Sequence, residues 1–259
     1  MKKLLLILML AVILLLCACA GTDDDDVDIT PPIPPVLTPH HGDTGDPPVV
    51  YEGQTIYIND DNNGIDTVPD GDWIRVSWEP FKDTDLSHVK IWRYNNFATE
   101  PVLIDSISAT HDYYLDTDSQ LTERVWYSYF IDLVDLAGNE SRSDTVSYAL
   151  LSKSLLLSPA NGATIAPQSN PLDARFSWNR SGTAGKFRLL LMDENYNYVW
   201  HQDLYVALEA DPLFIQIPIN LASQYSGQTL RWRVDSFDWD QEMQAYMGSE
   251  SFERIVHIQ

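Results

Sequence analysis

The chain is predicted to be all-β, two tandem antiparallel β-sandwiches behind an N-terminal export segment, and three observations predict it. In the stretch YSYFIDLVDLAGNES, Tyr127, Tyr129, Ile131 and Leu133 alternate with Ser128, Phe130 and Asp132, the period of two of a strand with one buried face. Ile74, Val76 and Trp78 alternate with Arg75 and Ser77, and Ala174, Phe176 and Trp178 repeat the pattern one hundred positions later. The 259 residues, less a signal and a tether, leave room for two domains of roughly 100 residues each, a usual sandwich size.

The chain opens with Met1-Lys2-Lys3 and an apolar run from Leu4 to Leu16, a charged n-region and an h-region too short to span a bilayer comfortably. The run ends in Leu16-Cys17-Ala18-Cys19-Ala20-Gly21, which resembles a bacterial lipobox, with 1–18 as signal peptide and Cys19 as the residue lipidated after cleavage. Cys17 fits poorly because Leu16 stands where that cleavage needs a small residue. The resemblance implies a diacylated N-terminus, and several acyl chains hold where one would dissociate. An ordinary secretory signal cut after Cys19 is the alternative. Ala20 is not the aspartate linked to inner-membrane retention, so the resemblance favours the outer membrane. Asp23 to Asp26 resembles surface-export signals of some bacteria and equally suits a solvated spacer, which leaves the periplasmic and surface faces open. Cys17 and Cys19 are the only cysteines, so no disulfide staples the exported domains and apolar cores must hold them.

The formal charge of −22 repels phosphate backbones, which excludes nucleic acid as a partner and suits cations or basic surfaces. Residues 19–33 are an acidic, proline-rich tether that stays extended and buries no core. The first domain is expected over 34–151, and Pro34-Pro35-Val36-Leu37-Thr38-Pro39 reads as a proline-bounded edge strand. An insertion follows at 40–72, with a hairpin within Val49 to Ile58. After it, Asn59-Asp60-Asp61-Asn62-Asn63-Gly64-Ile65-Asp66 resembles the calcium repeat of thrombospondin type 3, and more loosely an EF-hand loop. That resemblance implies calcium on Asn59, Asp61, Asn63 and Asp66, since a hard cation takes alternate oxygens around a glycine turn. A polar loop of turn-forming residues is the competing reading.

From Trp73 the strand pattern is regular. Trp78 is the core anchor of its strand, and Trp78-Glu79-Pro80, Asp83 and Asp85-Leu86, Val89 to Tyr94 and the turn Asp135-Leu136-Ala137-Gly138-Asn139 together resemble the bacterial fibronectin type III module. His88 keeps no metal spacing with another histidine or cysteine and reads as an edge residue. Val102 to Ser108 and Tyr113 to Asp116 supply two more strands. Leu121 precedes Tyr127 by six positions, as in a tyrosine corner, where the phenol satisfies backbone at the strand crossover. The resemblance places Tyr129 where an antibody domain has its second cysteine, so packing is expected to replace that disulfide. Thr145 to Leu150 closes the domain.

The second domain is expected over 152–259. Leu155 to Pro159 and Ala160-Asn161-Gly162-Ala163 resemble the opening of related modules, and strands are expected at Phe187 to Met192, Tyr198 to Gln202, Phe214 to Pro218, Gly227 to Val234 and Phe252 to Ile258. Leu230 stands in the tyrosine-corner place, so that hydrogen bond is expected to be missing.

No G-x-S-x-G, H-E-x-x-H, phosphate-cradling loop or zinc-spaced cysteine pair is present, and the chain is read as a non-catalytic binding or scaffolding element of the cell envelope. Its partner is a protein meeting the acidic faces or, alternatively, a glycan captured on exposed aromatics. For the glycan reading the candidates are Trp239, Asp238, Asp240 and Tyr246 around an expected loop at 237–240, with Tyr196 and Trp200 further off. A tryptophan folded back over the end of the sandwich is the bland reading of Trp239, and Trp73, Trp92 and Trp126 read similarly as rim or sheet-face residues.

Overall fold

The period-two segments become strands in the computed structural model, which describes residues 28–38, 49–51, 54–56, 66–68, 71–98, 100–180, 182–206 and 211–259. Cys19 and Asn59 to Asn63 lie outside the described residues, and Asp66 opens a strand of which only the backbone is described. No helix among the described residues is long and apolar enough to cross a membrane.

In the first sandwich, one sheet is centred on β5 (Gly71–Trp78), flanked by β1 (Leu37–Thr38) and β8 (Tyr113–Asp116), with β4 (Asp66–Val68) paired to its beginning. The insertion also carries the hairpin β2 (Val49–Tyr51) and β3 (Gln54–Ile56). The facing sheet runs in the order β10 (Glu140–Arg142), β9 (Trp126–Asp135), β6 (Leu86–Asn95), β7 (Val102–Ser108), with β11 (Val146–Ala149) also on β9. Alternation sends Ile74, Val76 and Trp78 inward against Val89, Ile91, Ile131 and Leu133, all buried. This is an immunoglobulin-like antiparallel β-sandwich, as expected.

Two tyrosines of β9 carry the inner polar contacts. The Tyr127 hydroxyl accepts from the Thr122 amide at 2.8 Å and donates to the Gln120 carbonyl at 3.2 Å, one on each side of Leu121, so the tyrosine corner is present. Tyr129 packs on Tyr148, and its hydroxyl also donates to Asp116 Oδ2 at 2.7 Å. Arg93 donates to the same carboxylate at 2.7 Å and to Asp118 at 2.7 Å. Packing thus stands where the disulfide would be, as expected, and a charged hydrogen-bond network through the buried Asp116 adds to it.

Burial and the adjacent Asp116 push the Tyr129 phenol well above its ordinary range, and the same causes raise Tyr114 to about 12. A raised folded pKa means the folded state favours the protonated phenol. The stabilisation is complete below the unfolded value of about 10 and fades as pH climbs from there through the folded pKa. Urea midpoints taken across that alkaline range should fall more steeply for the natural chain than for Tyr129→Phe; equal slopes would refute this.

The second sandwich pairs β14 (Arg175–Asn179) with β12 (Leu155–Ser158) and β17 (Leu213–Gln216). Its other sheet runs β13 (Ala163–Ile165), β20 (Arg254–Ile258), β18 (Thr229–Asp240), β15 (Lys186–Met192), β16 (Tyr198–Tyr205), with β19 (Ala245–Glu250) on the far half of β18. Phe176 and Trp178 are fully buried with Phe187 and Trp232, and Phe176 meets Trp232 edge to face at 5.0 Å.

Several features here differ from expectation. A 3-10 turn at Pro171–Ala174, strands β13 and β19 and a short helix α1 (Ile219–Gln224) all lie in segments with no strong period. Helix α1 buries Leu221 and Ala222 and leads the chain across to β18 where Leu230 offers no hydroxyl. There the Gly227 amide donates to the Ile258 carbonyl at 2.7 Å. The segment 237–240 is not a loop but the end of β18, because β19 pairs with it through Ala245.

The last strand is broken by the same device in both sandwiches. Ser143 and Ser251 each accept from a β9 or β18 amide, Ile131 at 3.0 Å and Val234 at 2.9 Å, and each returns its own amide to that residue's carbonyl. A serine side chain thus supplies the ladder bond that the strand break removes.

Candidate functional site

The outer face of the second sandwich carries an open trough. Strand parity places Lys186 of β15 and Phe237 and Trp239 of β18 on this face, and register sets Tyr205 and Phe237 on either side of Lys186 and Tyr246 opposite Trp239. Gly185, Lys186, Tyr205, Phe237, Asp238, Trp239 and Tyr246 line a space of about 230 Å³. Tyr205 is 72 % exposed and Trp239 39 % exposed, so both walls show ring surface to water.

Most of the lining is packed together. Tyr246 meets Trp239 at 4.8 Å and Phe237 at 5.6 Å, both edge to face. Lys186 Nζ stands 4.1 Å from the Phe237 ring and 5.2 Å from the Tyr205 ring, and binds Asp203 at 2.8 Å. Burial alone would raise the Asp203 carboxyl, but hydrogen bonds from Arg188 and Lys186 outweigh it and hold the group below its ordinary value.

Behind the trough lies the junction between the sandwiches. Arg124, at φ 63°, donates to Asp238 Oδ2 at 3.0 Å, to Thr183 Oγ1 at 3.0 Å and to the Thr183 carbonyl at 3.2 Å, and reaches Met247 Sδ at 3.7 Å. One guanidinium so grips β18, β19 and the segment leading into β15 from the side opposite the rings. Next to it the Glu123 carboxylate covers Gly182, at φ +70°, where a Cβ would collide with it. Trp126 donates its indole N–H to Asp240 Oδ2 at 2.8 Å and is buried with Ala149 and Leu151 in the core of the second sandwich. The Leu151 amide donates to the Gly248 carbonyl at 3.0 Å, and β4 passes beside β19.

The sequence candidates separate accordingly. Trp239 and Tyr246 come together on the trough wall. Asp238 and Asp240, expected beside the ring as acceptors for sugar hydroxyls, turn their carboxylates to Arg124 and Trp126 because they sit on the opposite parity of β18. The Trp126 indole and the Met243 and Glu242 amides hold Asp240 below the ordinary carboxyl range. Trp126 is thus neither rim nor sheet face. Trp200 packs against the second core, and Tyr196 lies under the Arg231 guanidinium at 4.2 Å, so neither joins the trough. Lys186 and Tyr205 are the lining residues that sequence reasoning missed, because only strand register brings them to the Phe237 and Trp239 face.

A second cluster of carboxylates lies on the first sandwich. The carboxylates of Asp28, Asp85 and Asp135 lie within 4.8 Å of one another. Both oxygens of Asp135 are occupied: Oδ1 accepts from the Ala137 and Asn139 amides and Oδ2 from Asn139 Nδ2, each at 2.8 or 2.9 Å. Asp193 makes the same lock with Asn195 and Asn197, and Tyr196 takes the positive φ that Gly138 takes in the first lock. Residues 28–33, expected to belong to the free tether, are docked here: the Asn139 side chain binds the Asp28 carbonyl at 3.0 Å and the Ile33 amide binds Asp83 at 2.8 Å.

No family model matches the sequence, and no curated protein matches it. Among solved structures, the chain is similar to the FN1–FN3 domains of chicken CNTN1 at 10 % identity and a TM-score of 0.32, covering 88 % of this chain and 66 % of that one. It is also similar to pectate lyase Pel3 from Pectobacterium carotovorum at 16 % identity and a TM-score of 0.26, covering 39 % of this chain and 30 % of that one. The chain therefore spans just under two thirds of the first and about a third of the second. The sandwich architecture rests on the strand order and register of the chain itself.

Proposed function

We propose that this protein is a non-catalytic envelope lipoprotein, a rigid two-sandwich arm tethered through Cys19 to the outer membrane that presents its second domain to a partner. The observation that supports it is the junction, where Trp126 of the first sandwich lies in the core of the second and Arg124 spans three of its segments. Flexible tandem modules meet through small polar contacts. A shared apolar core instead fixes one angle, which suits a spacer that must hold a binding face at a set distance. Charge fits the same role, since an acidic arm is repelled by anionic headgroups and stands away from them.

Small-angle scattering of the full chain in detergent, after subtraction of the micelle, should fit one fixed arrangement of the sandwiches. A profile that requires a broad spread of interdomain angles would remove the arm reading. The anchor has its own test: Cys19→Ala should move the protein from the membrane fraction to the soluble one, and retention in the membrane fraction would refute acylation at that residue.

A further inference from the structure

The trough combines features that a purely structural sheet face does not need. Its two walls are exposed aromatic rings, Gly185 and Lys186 line the space between them, and the lining offers polar atoms in Lys186 Nζ and the phenols of Tyr205 and Tyr246. A pyranose has the matching chemistry, with C–H faces that pack on rings and hydroxyls around its edge that need donors and acceptors. Size points the same way. At about 230 Å³ the space falls below the roughly 300–1,000 Å³ of pockets that enclose drug-sized ligands, so it suits one ring of a chain that continues into solvent.

Rigidity and charge narrow the ligand further. Phe237, Trp239 and Tyr246 are wedged against one another and their strands are gripped from behind by Arg124, so only the exposed Tyr205 ring remains to be ordered on binding. The protein carries a net charge of −22, and within the trough Lys186 is already neutralised by Asp203. A polyanion would meet a repelling field and find no free cation among the lining residues. We infer that the trough between Tyr205 and Trp239 is a carbohydrate subsite for one ring of an uncharged saccharide. This goes beyond the anchored arm and stands whether or not Cys19 is acylated.

Affinity electrophoresis of the full chain tests it, in native gels that carry a neutral polysaccharide (dextran, mannan, xyloglucan) or an acidic one (alginate, polygalacturonate). At least one neutral polymer should retard the protein. Trp239→Ala should weaken that retardation about tenfold, the scale of losing a stacked ring with its burial. Tyr205→Ala, at a side chain too exposed to matter for folding, should also weaken it several-fold. The inference is overturned if no neutral polymer retards the chain, if only acidic polymers do, or if both variants run as the natural protein does.

Discussion

Trp126→Ala is expected to uncouple the two sandwiches. The side chain is only 4 % exposed, sits among the apolar residues of the second core and donates to Asp240. Truncating a buried tryptophan costs about 3–5 kcal/mol through lost burial and the cavity left behind. Here that loss falls on the junction, because Trp126 is the first residue of β9 and its ring crosses into the neighbouring domain. Arg124, with a third of its side chain in water, cannot make up the difference, since ion pairs of that exposure contribute about 0.2–1 kcal/mol. Calorimetry should show a single cooperative transition splitting into two, with a larger radius of gyration by scattering. One undivided transition at an unchanged radius would show that the junction does not depend on this ring.

Asp116→Ala is expected to cost about 3–5 kcal/mol in the first sandwich, the range for removing one partner of a buried charged pair. Asp116 is 2 % exposed and accepts from both Tyr129 and Arg93. Without it the phenol loses its acceptor in the core and the guanidinium keeps only Asp118, which is itself partly in water. Asp118 should hold the loss near the lower end of the range. Asp116→Asn keeps an acceptor but not the charge, so it should fall between the alanine variant and the natural chain. Urea unfolding followed by circular dichroism gives the ranking; an alanine variant within about 1 kcal/mol of the natural protein would mean that the network contributes little.

Legibility of the sequence followed the range of the interaction. Ile74, Val76 and Trp78, and Ala174, Phe176 and Trp178, were readable as core because burial on one face writes itself every second residue. The tyrosine corner was readable because the Tyr127 hydroxyl and its partners lie a few positions apart. Strand β19 and helix α1 were not, since β19 has no period of its own and α1 is too short to show one. At the trough, Trp239 and Tyr246 were legible as aromatics close in sequence, while Tyr205 and Lys186 joined them only through the register of β15 with β16 and β18.

By itself the sequence determined two all-β sandwiches, each anchored on a tryptophan of its second principal strand, with no cysteine in the described domains to staple them. Only the tertiary structure decided what those sandwiches do to each other and which way the acidic residues of β18 point. Asp238 and Asp240 find Arg124 and Trp126 114 positions back in the chain. Strand periodicity says which residues share a face; sheet order and domain packing choose what lies opposite that face. That choice turned two expected ligand-binding carboxylates into the clasp of a junction and left the rings of Trp239, Tyr246 and Tyr205 facing outward.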